Sequence, residues 1–456
     1  MAGRPLTVLF MPESAYGPTN NCVGIGNVLR QRGHRVVFAA EASWKGRLEP
    51  LGFEEDLVDL SPPREQGEPG QQSEPGIPGD QDAGAFWKEF IASTAPEFRK
   101  PTIEQLDTWI RPVWAELITG ARYCQEQLAE IVARTRPDVI VEDNVISFPA
   151  LLTAGVPFVR IVSCNPLEVA DPALPPAFSG YPAGDQARQE DDAQPGQARP
   201  NPARWAEFRA EYDRVHRGMW AEFSDWVASQ GAPPLPDLEF IHSGQANLYV
   251  YPEVADYRRS RPLGPDWHRL DSSVRETDEP FTLPEPLAGG SGALIYFSLG
   301  SLGSADVTLM RRVIDCLAAT PHRYIVSKGP LHAELALASN MHGAEFLPQT
   351  SVIPRADLVI THGGNNTTTE CLHFGKPMIV LPLFWDQHDN AQRVDELGLG
   401  VRLDPYRFTD AQLHGALDRL LGDTALRGRL ARAAAGIQGR QGLRRAAGII
   451  ESAARS

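Results

Sequence analysis

Cysteine is scarce, at 5 in 456 residues, and Cys22, Cys124, Cys164, Cys316 and Cys371 are scattered without CxxC or Cys/His spacing. That excludes a disulfide framework and a thiolate zinc site, and it leaves reduced, buried thiols as the expectation. No Lys/Arg run is present and the formal charge is −15. Nucleic acid and anionic membrane both need a basic patch, so neither is an expected partner. No apolar run is long enough to span a bilayer, and the first one stops at Pro12 and Glu13, too early for a signal peptide. The expectation is a soluble cytoplasmic protein. Nothing in these absences bears on its oligomeric state.

The length exceeds what one core usually serves, so two domains are expected. Residues 7–11 and 35–40 read as buried strands around a helix from about Val23 to Arg32, a βαβ opening. Two stretches, 61–84 and 182–202, are rich in Pro, Gly, Gln and acid and read as mobile inserts, either solvated surface or lids beside a pocket. Between them lie aromatic helical segments. Trp87, Phe90, Trp109 and Trp114 are candidates for a ligand wall, with core packing as the alternative. The polar, Pro-punctuated segment 257–286 reads as a linker, separating a first domain (1–256) from a second (287–437). Alternating β and α in both halves predicts an α/β protein of two doubly wound sheets, with a ligand cleft between their strand ends.

The richest segment runs from Phe346 to Gln387, FLPQTSVIPRADLVITHGGNNTTTECLHFGKPMIVLPLFWDQ. A short strand at Leu358-Val359-Ile360 meets the turn THGGNN and a polar helix start, TTTE. Glycines at a strand end put bare N–H groups and a positive helix end at one spot, where a phosphate binds. His362, Gly363, Gly364, Asn366 and Thr367 are the candidate cradle. Glu370 lies one turn further on the same side, and a carboxylate accepts two hydroxyl donors, which suits a ribose diol. A second buried strand, Met378 to Leu383, brings Asp386 and Gln387 to the same edge, where they offer partners for sugar hydroxyls.

This order, with Gly375-Lys376-Pro377 and Pro382, resembles the donor-binding motif of the GT-B-fold, nucleotide-sugar-dependent glycosyltransferases (the UDP-glycosyltransferase family, bacterial branch). A weaker similarity extends through TVLFMP, LRQRGHRV and RPDVIVEDNVISFPALLTAGVPFVRI. The resemblance implies two Rossmann-like domains, the first for acceptor and the second for donor, with a terminal helix (438–456) crossing back to the first. It implies Phe346 stacking on the base with Gln349 beside it, Ser301 on a second phosphate, Trp385 against the sugar, and Asp386-Gln387 on the 3- and 4-positions of a hexose. A carboxylate gripping a diol favours a fully hydroxylated sugar such as glucose. Uracil and thymine present nearly the same edge, so UDP and dTDP stay open. No metal and no cofactor are expected: no HExxH or well-placed DxD occurs, and His362 with backbone amides stands in for a cation. The partners expected are the nucleotide sugar and a small, largely apolar acceptor, joined by an inverting displacement.

The resemblance fails at the acceptor base. The family's GHxNP pattern falls on Gly17-Pro18-Thr19-Asn20-Asn21, so Pro18 replaces the usual His, and His34 lies at the far end of the helix. Asp143, at the strand end VEDN, is the leading substitute base. Glu13 is the second, with Tyr16 or Asn20 positioning the nucleophile; an acceptor acidic enough to need little help is the third. The alternatives to a transferase are a catalytically degenerate nucleotide-sugar-binding protein and a sugar-nucleotide epimerase.

Overall fold

The computed structural model describes residues 4–61, 94–184, 199–276, 279–285 and 287–456. Two parallel sheets organise it. The first carries β1 (Thr7–Pro12), β2 (Arg35–Phe38), β3 (Glu54–Glu55), β4 (Val139–Asp143), β5 (Phe158–Val162), β6 (Ala246–Val250) and β7 (Trp267–Leu270), in the order β3-β2-β1-β4-β5-β6-β7. The second carries β8 (Leu294–Ser298), β9 (Arg323–Ser327), β10 (Met341–Ala344), β11 (Leu358–Thr361), β12 (Met378–Val380) and β13 (Gly400–Arg402), in the order β10-β9-β8-β11-β12-β13.

Both sheets are covered on two faces, so their strands are near-continuous apolar runs. Val8, Leu9 and Phe10 are completely buried, each stabilising the fold by on the order of 1.5–3 kcal/mol. The strand order reverses between β1 and β4 in one sheet and between β8 and β11 in the other. A ligand site forms at such switch points, outside the carboxyl ends of the strands. The register pairs Pro12 with Asp143 and Ser298 with Thr361, so the loops that follow all four strands meet in one cleft.

The first long helix, Tyr16–Gln31, begins seven residues before the periodicity predicts. Its opening turn, YGPTNN, faces the cleft and lacks an apolar stripe. β7 falls within the segment read as linker, so the first sheet extends beyond residue 256 and the connection between sheets starts after Leu270. The terminal helix Gly442–Ala453 follows a break at Gln441, whose φ is +49°, and packs on the Tyr16–Gln31 helix and the first sheet. His34 is part of that packing: its Nδ1 accepts from the Leu6 amide at 3.0 Å and its Nε2 reaches Glu451 at 2.9 Å. Residues 62–84 and 185–198 of the two inserts, with Trp87 and Phe90, lie outside the described residues.

Candidate active site

A cleft of about 690 Å³ runs between the two sheet edges. Glu13, Tyr16, Asn20, Trp109, Asp143, Ser301, Phe346, Gln349, His362, Gly364, Asn366, Thr367, Glu370, Trp385, Asp386 and Gln387 all line it. Sequence reasoning placed these on two domains hundreds of residues apart, and the fold brings them together. Gly363 is not on the surface of the cleft. Its φ is +88°, its N–H goes to Thr361 Oγ1 at 3.2 Å, and a Cβ there would lie 2.6 Å from Val380. It shapes the turn and contributes no free donor. Gly364 leaves room for the His362 ring, which a Cβ would meet at 2.6 Å.

Burial pushes the His362 pKa down to about 4, with a backbone hydrogen bond at Ser298 opposing. Burial thus disfavours the charged ring without ligand, and an anion beside it would favour the protonated form, which has an N–H donor on each nitrogen. The Asn366 side chain is also spoken for. Its Nδ2 donates to the Gly17 carbonyl at 2.8 Å and its Oδ1 accepts from Asn21 at 3.1 Å, tying the donor helix Asn365–His373 to the first domain. What remains for an anion are the first backbone N–H groups of that helix.

Glu370 is buried and held from two sides, by Gln349 Nε2 at 2.6 Å and by Arg275 at 3.4 Å. Gln349 also reaches Thr367 Oγ1 at 3.2 Å and accepts from Tyr296 at 3.0 Å, so its side chain braces Glu370 and is not free for a base. Phe346 is 43 % exposed, and the Tyr16 ring lies 5.5 Å away, with Trp44 beyond at 5.2 Å. Tyr16 thus packs at the Phe346 end of the cleft.

Asp386 Oδ2 accepts from the Asn165 amide at 2.9 Å and from Asn390 at 3.3 Å. Gln387 Oε1 accepts from the Leu383 and Phe384 amides at 3.0 and 3.3 Å. The pair therefore presents one open carboxylate oxygen and one NH₂ to the cleft. Trp385 sits at φ +56°, rare for a bulky residue, with its ring wedged against Phe178 at 4.7 Å and Trp114 at 5.3 Å. It joins the two domains as well as facing the cleft. Trp109 packs edge-on to Phe98 and beside Phe384 at 5.2 Å, so wall and core are the same residue here.

Asp143 stands across from the donor turn. Ser163 donates to its Oδ1 at 2.7 Å, and Asn21 approaches Oδ2 at 3.5 Å. Burial pushes its pKa up to about 8; the Ser163 and Asn21 bonds oppose, the nearby Glu13 charge adds, and Arg160 opposes. Pro18 lines the cleft without any proton acceptor. Glu13 is turned back on its own loop, accepting from Ser14 Oγ and the Ala15 amide, both at 3.0 Å. Its pKa is also raised, chiefly by burial. Both its oxygens are engaged within its own loop, whereas the donors to Asp143 come from elements on either side of it. Cleft residues that the sequence reading missed are Arg160, Cys164, Glu168, Arg275 and Phe384. For Arg160 a signal existed: a charge in the middle of an apolar strand, FVRIV. Among the described residues no His/Cys/Asp/Glu group could hold a metal, and no helix is long and apolar enough to cross a membrane.

Two doubly wound sheets that share a cleft, with a glycine turn, a helix start and a carboxylate one turn on, have the architecture of the GT-B fold. Known proteins are similar to this chain in sequence and in fold. A profile described as "Erythromycin biosynthesis protein CIII-like, C-terminal domain" matches residues 311–440. The oleandomycin glycosyltransferase of Streptomyces antibioticus is 24 % identical over 98 % of this chain and 91 % of its own length. The demethyllactenocin mycarosyltransferase of Streptomyces fradiae is 25 % identical over 98 % and 86 %. Among solved structures, the glycotransferase of kitacinnamycin superposes with a TM-score of 0.64 at 21 % identity over 99 % of both chains. Glycosyltransferase VinC in complex with dTDP gives 0.62 at 16 % identity over 99 % of this chain and 100 % of that one. These similarities support a bacterial GT-B glycosyltransferase family and a nucleotide-sugar glycosyltransferase activity.

Proposed function

We propose that the enzyme moves a hexose from a UDP- or dTDP-sugar to a small, largely apolar acceptor with inversion at the anomeric carbon, Asp143 taking the acceptor proton. The observation that carries this is the single cleft that holds the turn at His362, Glu370 and Asp386-Gln387 on one wall and Asp143 on the other. The helix start at Asn365 and the His362 N–H meet the charge that develops on the departing diphosphate. Glu370 meets the ribose hydroxyls in exchange for its present partners. The nucleobase stacks on Phe346 and the sugar lies against Asp386, which keeps one oxygen open to sugar hydroxyls. On the opposite face, ionised Asp143 draws the proton from the attacking group, with Ser163 and Asn21 fixing its orientation. Glucose and deoxyhexose donors are both to be tried.

The test is incubation with UDP-glucose, dTDP-glucose and dTDP-rhamnose against a panel of phenolic acceptors, read by product mass. A gain of one glycosyl unit is the expected result. Donor left intact with every acceptor, or epimerised without release of nucleotide, overturns the reading.

A further inference from the structure

The cleft lined by the apolar side chains of Trp109 and Val113 is also lined by Arg160, in the centre of β5. Arg160 is 3 % exposed, its Nε has no hydrogen-bond partner, and among the described residues no carboxylate lies within salt-bridge distance of it. An arginine so buried is costly unless something pairs with its planar fork. Its cross-strand register partner is Glu142, whose two oxygens are also buried without hydrogen bonds, and Glu168 faces the same part of the cleft. Burial raises the pKa of Glu142 well above the usual range, that of Glu168 to about 7, and that of Glu239 as well, with Arg160 opposing each. Arg160 favours the charged form of each of these carboxyls and of Asp143 through space, while no direct ion pair among the described residues ties up its guanidinium.

We propose that Arg160 anchors an acceptor subsite for a planar oxyanion, of which a carboxylate is the simplest, so that acidic acceptors are selected over their neutral analogues. The proposal rests on the small-molecule transferase reading above and adds the chemical class of the acceptor. A bidentate guanidinium–carboxylate contact in a water-poor pocket is among the stronger charge-assisted pairs. The apolar side chains of Trp109 and Val113 in the same cleft accept a ring.

The test compares 6-hydroxy-2-naphthoate with its methyl ester, in transfer assays and in calorimetric binding without donor. Wild type should favour the acid by at least about tenfold, expressed in KM and in binding. Arg160→Met should bring the acid-to-ester ratio to about one, Arg160→Lys should keep part of it, and Glu168→Gln should retain it. A wild-type ratio near one, or a ratio unchanged by Arg160→Met, overturns the proposal; the wild-type ratio decides alone if the Met variant does not fold. Binding preference for the acid without sugar transfer to any acceptor counts against the function and not against this subsite. Transfer without acid preference does the reverse.

Discussion

Replacing Asp143 by Asn removes the proposed base while keeping its size and both hydrogen-bonding neighbours. Asp143 acts only when ionised, and its pKa in the free protein is raised to about 8. Activity carried by this group must therefore rise with pH: about 1 % of the carboxyl is ionised at pH 6, about 10 % at pH 7 and about 90 % at pH 9. General-base catalysis contributes about 10²–10⁴-fold, so Asp143→Asn should lower kcat/KM by about that factor at pH 9. The gap should narrow by nearly a hundredfold at pH 6, where wild type has little ionised base. The assay is initial-rate transfer to a phenolic acceptor from pH 6 to 9.5, with nucleotide affinity measured in parallel and expected to stay near normal. A wild-type profile flat across pH 8, or an Asn variant whose rate matches wild type at pH 9, refutes the assignment.

Glu13→Gln separates the two carboxylates. Removing its charge should move the rising limb of the profile to lower pH and raise the rate at pH 7, because Glu13 contributes to the raised pKa of Asp143; a rate collapse at all pH values would instead make Glu13 the base. Thermal stability should fall as pH rises from 6 to 9. Asp143 and Asp389 at about 8, with Asp386 and Glu168 at about 7, keep protons in the folded state that the unfolded chain has released, so the folded form loses ground as pH climbs through these values. The change is of order a few kcal/mol, read as a drop in Tm, and a Tm that rises over this range would contradict it.

The donor half was legible because it is contiguous. One stretch of sequence carries strand, turn, helix start, carboxylate and second strand, and the strands announce themselves as apolar runs because both their faces are covered. The acceptor half is assembled from distant pieces. Nothing local in Asn21 signals that it joins Asp143 to Asn366, and nothing local in Asn165 signals its claim on Asp386. Those long-range bonds decide which side-chain atoms are open in the ligand-free cleft, and no local pattern in the sequence announces them. The edge strand β7 was missed for a related reason: WHRL is mostly half-buried and polar, and reads as linker. Arg160 and Glu142 stood out in their strands, but a charge in a buried strand shows only that something pairs with it, not what.

The central claim is that the turn at His362 and the carboxylate of Glu370 hold a nucleoside diphosphate. Calorimetric titration of UDP and dTDP into wild type and Glu370→Ala tests it most directly. The account predicts saturable one-to-one binding of at least one nucleotide to wild type, weakened by at least about tenfold in the variant. No heat with either nucleotide, or equal affinity in both proteins, would contradict it.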